Sequence, residues 1–319
     1  MWMFPEDVPS GDTGETVSLV DVFNEKHENV RYFPGKRLEA NIVATPDLRT
    51  CVEGADLLVF CVPHEHMYAC VKSLKLLDCV DPGAHAISLT KGIRVTPKGP
   101  QLISQLITKS LGIQCSVLMG ANIAADVYED NFSEGTIGCK DIEAGALLQA
   151  AFGRRTFSVR VIADVEGAEM AGTLKNVVAL AAGICDGLAL GPNTKAAVMR
   201  IGLVEMVGVT QRLFPSARPA TFFAESCGVA DLIATCVAGR NRRAGEALAL
   251  AGGGKTFAEI EEELAVGSLQ GPRTALEVLE VLEARGWDAD FPLLASVGRV
   301  VRQELAPAEL VAVLEDGRL

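Results

Sequence analysis

The sequence predicts two domains of different class: an α/β domain built on a parallel sheet, then an all-helical domain. Three observations carry this. Short apolar runs alternate with helical stretches through the first half. After about Ile162 the strand-like runs stop and longer helical patterns take over. The chain has 319 residues, enough for two domains of ordinary size.

The elements can be taken in order. "MWMF" at the start and "NIVAT" (Asn41–Thr45) are strand candidates. "DLLVFCV" (Asp56–Val62) is a continuous apolar run, as expected of a strand covered on both faces. A helix is predicted over Met67–Leu77, a strand at "AHAISLT" (Ala84–Thr90), a helix near Leu102–Leu111 and a strand at "CSVLM" (Cys115–Met119). "GTIGC" and "FSVRVI" are shorter strand candidates that close this half. Helices are then predicted over Glu166–Gly183, Lys195–Leu213, Ala230–Val237 and Arg273–Arg285, with one more in "FPLLASVGRVVRQEL". "GPNTK" and "LFPSARPA" break the helical run. The expected domains are 1–162 and 163–319.

Composition narrows the function. The chain is 49% hydrophobic and 22% charged, a globular balance. Its net charge of −12 repels nucleic acid and anionic lipid at long range, so neither is an expected partner. An anionic substrate needs a local basic pocket. Nine cysteines form no CxxC pair, and several lie in apolar runs, which suits reduced thiols in a cytoplasmic protein. The start lacks a basic segment followed by an apolar one, so no secretory signal is expected. The final "GRL" is a poor peroxisomal address. His64 and His66 in "PHEH" have no cysteine or carboxylate partners at useful spacing, and no metal is expected.

A doubly wound domain usually opens with a strand, a GxGxxG turn and a helix. No such turn follows an early strand here, and "SGDTG" (Ser10–Gly14) has the wrong spacing. Glu6 and Asp7 follow "MWMF" at once, as an acidic residue follows the second strand of such domains. The expectation is a chain that begins one βα unit late.

Three segments carry candidate chemistry. "TLKNVVALAAG" sets Lys175 and Asn176 in an apolar helix. "ESCGVADLIATCVAGRNRR" puts Asp231 and Thr235 four apart on one helix face. Arg240 and Asn241 follow, a guanidinium and an amide suited to a phosphate. "SLTKG" sets Lys91 just beyond a strand end, where open α/β sheets bind ligands. Each residue type also serves plain structure. A lysine can snorkel to water, Asp and Thr can decorate a helix, and a basic run or strand-end lysine can simply be solvated.

Taken together, "ENVRYFPG", "VFCVPH", "SLTKG", "SVLMGANIA", "TLKNVVALAAGICDGLALGPNTKAAVMR", "ESCGVADLIATC", "GRNRR" and "LQGP" resemble the eukaryotic-type, cytosolic NAD-dependent glycerol-3-phosphate dehydrogenases. The resemblance runs in order from about residue 28 to 300. It implies a Rossmann-like domain lacking its first βα unit, an all-α C-terminal domain, and a homodimer. It implies reversible reduction of dihydroxyacetone phosphate to sn-glycerol 3-phosphate, with NAD as cofactor. Lys175 matches the catalytic acid/base. Lys91, Asn122, Asp231 and Thr235 match residues around the reacting group. Asn176 belongs to the same substrate-binding set, and Arg240 and Asn241 match the phosphate pair. Phe4 matches an aromatic beside the adenine, and Ala124, Arg240 and Gln270 match positions near the cofactor, as does Lys91. His66 stands where the family commonly has a Phe beside the nicotinamide, and Ser268 where a Lys is common. The resemblance also implies a missing pyrophosphate cradle and weak NADH binding for a chain that starts at Met1. The alternative is a non-catalytic homologue that keeps the substrate pocket and dimerises.

Overall fold

The computed structural model describes residues 1–9, 16–96, 99–265 and 267–312. The segment "SGDTG" and the terminal "GRL" lie outside them.

The N-terminal half holds β1 (Asp7–Pro9), β2 (Thr16–Ser18), α1 (Leu19–Lys26), α2 (Leu48–Val52), β3 (Leu57–Phe60) and α3 (His64–Leu77). Then come β4 (His85–Ser88), β5 (Ile93–Thr96), β6 (Gly99–Leu102), α4 (Ile103–Leu111), β7 (Cys115–Met119) and α5 (Ala124–Tyr128). β8 (Ser133–Gly138), α6 (Ile142–Phe152) and β9 (Phe157–Ile162) complete it. The main sheet has the order β3-β4-β7-β8-β9, and two antiparallel hairpins, β1-β2 and β5-β6, stand apart from it. This is a Rossmann-like domain.

The structure corrects three expectations. The sheet is mixed: β8 runs antiparallel to β7, pairing Val117 with Gly138. The link between them contains only the five-residue α5, too little helix for a crossover, so the chain turns back on itself. "MWMF" and "NIVAT" do not enter the sheet. Trp2 meets Thr45 in an isolated parallel bridge, with Met3 N donating to Thr45 O at 3.0 Å. β3 is fully covered on one face only: Leu58 and Phe60 are buried, while on the other face Leu57 is half-buried and Val59 is 48% exposed.

The C-terminal half is helical: α7 (Val165–Gly187), α8 (Gly191–Leu213), α9 (Pro219–Ala224), α10 (Asp231–Ala238), α11 (Arg240–Leu250), α12 (Phe257–Leu264), α13 (Gln270–Arg285) and α14 (Pro292–Val301). α7 is its centre. Asp164 caps it by accepting from Gly167 N at 2.9 Å, and nearly every residue from Val165 to Cys185 is buried. An apolar helix with no wet face belongs in the middle of a bundle. α11 crosses it very closely. A Cβ on Gly183 would lie 1.9 Å from the Arg242 carbonyl oxygen, and one on Gly245 would lie 2.2 Å from that of Leu180.

α7 also reaches into the sheet domain. Glu169 is fully buried and accepts from Ile103 N at 2.7 Å, Ser104 N at 3.2 Å and Ser104 Oγ at 2.5 Å. It thereby satisfies the open N-terminal amides of α4. Burial raises its pKa to about 7, against the pull of those hydrogen bonds.

Candidate active site

Lys175 lies just before the middle of α7, is 4% exposed, and donates to Asp231 Oδ1. Asp231 opens α10 and is 3% exposed. Its other oxygen, Oδ2, lies 3.5 Å from Lys91 Nζ. One carboxylate therefore stands between two ammonium groups, one from each half of the chain.

The surrounding backbone makes this possible. Lys91 follows β4, and Gly92 beyond it has φ +144, a conformation that suits glycine. Gly92 N donates to Thr173 Oγ1 of α7 at 2.9 Å, which ties the Lys91 segment to the helix bearing Lys175. Before Asp231 the chain kinks at Gly228 (φ −93, ψ −108). A Cβ there would lie 2.2 Å from the Phe222 carbonyl oxygen. Ser226 in the same kink accepts from Ala121 N at 3.2 Å, so the segment carrying Asn122 is anchored beside it. Thr235, buried one turn past Asp231, shares its face of α10.

Electrostatics follow from this packing. Lys175 is pushed from 10.5 down to about 7, chiefly by burial and then by the Lys91 charge. Asp231 pulls the other way. A lysine tuned near neutrality can both give and take a proton, which an ordinary lysine near 10.4 does poorly.

Asn176 and Asn241 form a second buried group. Asn241 Nδ2 donates to Asn176 Oδ1 at 2.9 Å, and Asn241 Oδ1 accepts from Gly271 N at 3.0 Å. Their amides thus join α7, α11 and the first turn of α13, next to the half-buried Gln270. Arg240, exposed, is the first residue of α11. The "GRNRR" run is therefore a helix N-terminus, whose amides and dipole favour an anion. Arg242 in the same run serves structure, pairing with Asp186 at 2.6 Å and Glu246 at 2.9 Å.

Phe4, His66 and Ala124 lie outside the buried cluster, each exposed. Phe4 is 71% exposed and meets Trp2 edge to face. Phe4 offers an open aromatic plane, and the strand ends at Phe60, Ser88 and Met119 lead toward His66, Lys91 and Asn122, the edge at which open α/β sheets bind ligands. The sequence has no GxGxxG. Among the described residues no group of three His, Cys, Asp or Glu side chains is placed to hold a metal. Two concavities, of about 500 and 470 Å³, lie elsewhere: one among α12, α13 and α14, the other against Asp186, Lys195 and Arg242.

Sequence reasoning missed Thr173 and Ser226. Both are small hydroxyls inside quoted motifs, and only the fold reveals the backbone amides they receive.

A mostly parallel sheet domain, a helical domain, and a buried lysine of α7 that shares a carboxylate with the lysine beyond β4 are the frame of a two-domain, nicotinamide-dependent oxidoreductase. The comparisons narrow the class. The model of the NAD-dependent glycerol-3-phosphate dehydrogenase N-terminus matches residues 1–145, and that of the C-terminus matches 164–312. The chain belongs to this family, and its cofactor is NAD. It is 48% identical over 318 residues to "Glycerol-3-phosphate dehydrogenase [NAD(+)] 1, chloroplastic" of Arabidopsis thaliana, covering 99% of this chain and 78% of that one. It is 43% identical over 317 residues to the cytoplasmic enzyme of Homo sapiens, covering 99% and 88%. The solved structure of the GPDH of Dunaliella salina superposes with a TM-score of 0.92 at 47% identity. That match covers 98% of this chain but about half, 53%, of the longer Dunaliella chain.

Proposed function

We propose that this chain interconverts dihydroxyacetone phosphate and sn-glycerol 3-phosphate, with Lys175 as the acid/base at the C2 oxygen. NAD, when bound, supplies or accepts the hydride. In the reducing direction Lys175 gives its proton to the oxygen as negative charge gathers there. Lys91 adds a second positive charge toward that oxygen and helps keep Lys175 poised to release. Asp231 holds the Lys175 proton until then, and Thr235 and Asn122 orient the reacting carbons. Arg240 grips the phosphate at the start of α11, with Asn241 and Asn176 fixing the backbone around it. Phe4, His66, Ala124 and Gln270, with Lys91 and Arg240, face the cofactor.

The domains proposed are 1–162 and 163–319. A homodimer in the cytoplasm is the proposed form; cytoplasmic names among the relatives support the compartment, and a relative of similar identity is chloroplastic. Among the described residues no helix is long and apolar enough to cross a membrane.

One observation carries the reading: a buried lysine is paired to Asp231 with Lys91 in reach of the same carboxylate, and burial and the Lys91 charge together lower its pKa. Replacing Lys175 with Ala should abolish NADH oxidation by dihydroxyacetone phosphate while leaving the circular dichroism spectrum unchanged. Near-normal turnover in that variant refutes the assignment.

A further inference from the structure

Beside the lysine cluster, a buried His64 and a half-buried Glu277 face each other with unpartnered polar atoms. His64, the first residue of α3, is 7% exposed, and neither ring nitrogen has a hydrogen-bond partner. Its Nε2 lies 3.4 Å from Glu277 Oε1 of α13, and its Nδ1 lies 3.4 Å from Glu65 Oε2. Glu277 Oε2 is buried and unpartnered too, while Arg273 Nε stands 3.4 Å from Oε1. Arg273 Nε donates to Glu277 Oε1, but the two His64 separations are those of ion pairs, without the alignment of hydrogen bonds. Buried polar atoms are rarely left in this state without a reason.

The other side of the imidazole supplies the reason. A Cβ on Gly92 would lie 2.6 Å from His64 Cγ, so the ring packs directly against the Gly92 backbone. Gly92 follows Lys91, and its N–H is held by Thr173. Contacts thus run from Glu277 through His64 and Gly92 to Lys91, Asp231 and Lys175. α3 lies in the sheet half and α13 in the helical half, so the pair crosses between them.

We propose that His64 and Glu277 are a positioning pair, fixing the Lys91–Gly92 backbone against α7 and so holding the Lys91 ammonium at Asp231. Neither touches substrate. A carboxylate and a ring donor shielded from water attract more strongly than in solution, and Glu65 and Arg273 are the other charges that face the pair. Packing a rigid ring beneath the segment stops Gly92 from sagging away from Thr173. The role given to Lys91 rests on the proposed reading of the site.

The test is amide hydrogen exchange at Gly92 in the full chain. In His64→Leu and Glu277→Leu the Gly92 amide should exchange about tenfold faster, while amides in α8 and α14 hold their wild-type rates. The double variant should show the same factor, not the product, because both changes break one link. His64→Gln, which keeps a donor near the Nε2 position, should recover most of the protection, and Glu277→Gln should fall between wild type and Glu277→Leu. Unchanged Gly92 protection in both leucine variants, or effects that multiply in the double variant, overturns the proposal. Lys175→Ala keeps the two readings separable. An active Lys175→Ala enzyme sinks the acid/base assignment, whereas wild-type Gly92 exchange in the His64 and Glu277 variants sinks only the positioning pair.

Discussion

Replacing Asp231 with Asn tests how the lysine is tuned. In the wild type, burial and the Lys91 charge carry Lys175 from 10.5 to about 7. That fall corresponds to roughly 5 kcal/mol against the charged form. Asp231 is the group that opposes it, in contact with Lys175 and 3.5 Å from Lys91. An opposite charge at such range moves a pKa by about 1–3. Asp231→Asn removes the charge with little change of shape, so Lys175 drops further, below 7. Reduction of dihydroxyacetone phosphate needs the protonated lysine. On the alkaline side of the profile, the protonated fraction therefore falls roughly 10- to 1000-fold, and activity falls with it. Lowering the pH restores part of the rate. The assay is kcat for NADH oxidation between about pH 5 and 9, with the thermal midpoint measured alongside. An alkaline limb that stays in place, or moves to higher pH, refutes the electrostatic account even if the variant is slow.

Two further outcomes follow from the packing. A methyl group at Gly183 has no room against the Arg242 carbonyl oxygen, so Gly183→Ala should lower stability by about 3 kcal/mol, read as a fall in the urea midpoint. Glu169 keeps its proton up to about 7 when folded but releases it near 4.5 when unfolded. The native state therefore binds more protons between those values, and stability falls as pH rises from about 4.5 to 7. Glu169→Gln should flatten that slope in urea titrations at several pH values, and an unchanged slope counts against the burial argument.

Much of this molecule could be read from its residues. "CSVLM" became β7 residue for residue, because an apolar run of strand length between turn signals has few other options. α7 was legible through its largely apolar pattern, uncharged from Val177 to Cys185. α11 was not: "GRNRR" looks like a solvated basic run, and the helix becomes clear only once Gly183 and Gly245 are seen to let the backbones meet. The reversal of β8 escaped because periodicity reports a strand but not its direction. Lys175, Asp231 and Lys91 were each singled out, but residue patterns alone could not say that one carboxylate serves both amines. His64 was weighed as a metal ligand and set aside. Its carboxylate partner Glu277 is remote in the chain, so no spacing rule could pair them.

The way α7 is held has a practical consequence for chimeras. Asp164 receives Gly167 N, Arg218 N and the Thr221 hydroxyl; Glu169, Thr173 and Lys175 then grip α4, Gly92 and Asp231 in turn. A rod pinned at so many points cannot be spliced halfway without tilting everything downstream. Anyone recombining this enzyme with a homologue should place the crossover between Ile162 and Asp164, and take α4 and the Lys91 segment from the same parent as the helix they clasp.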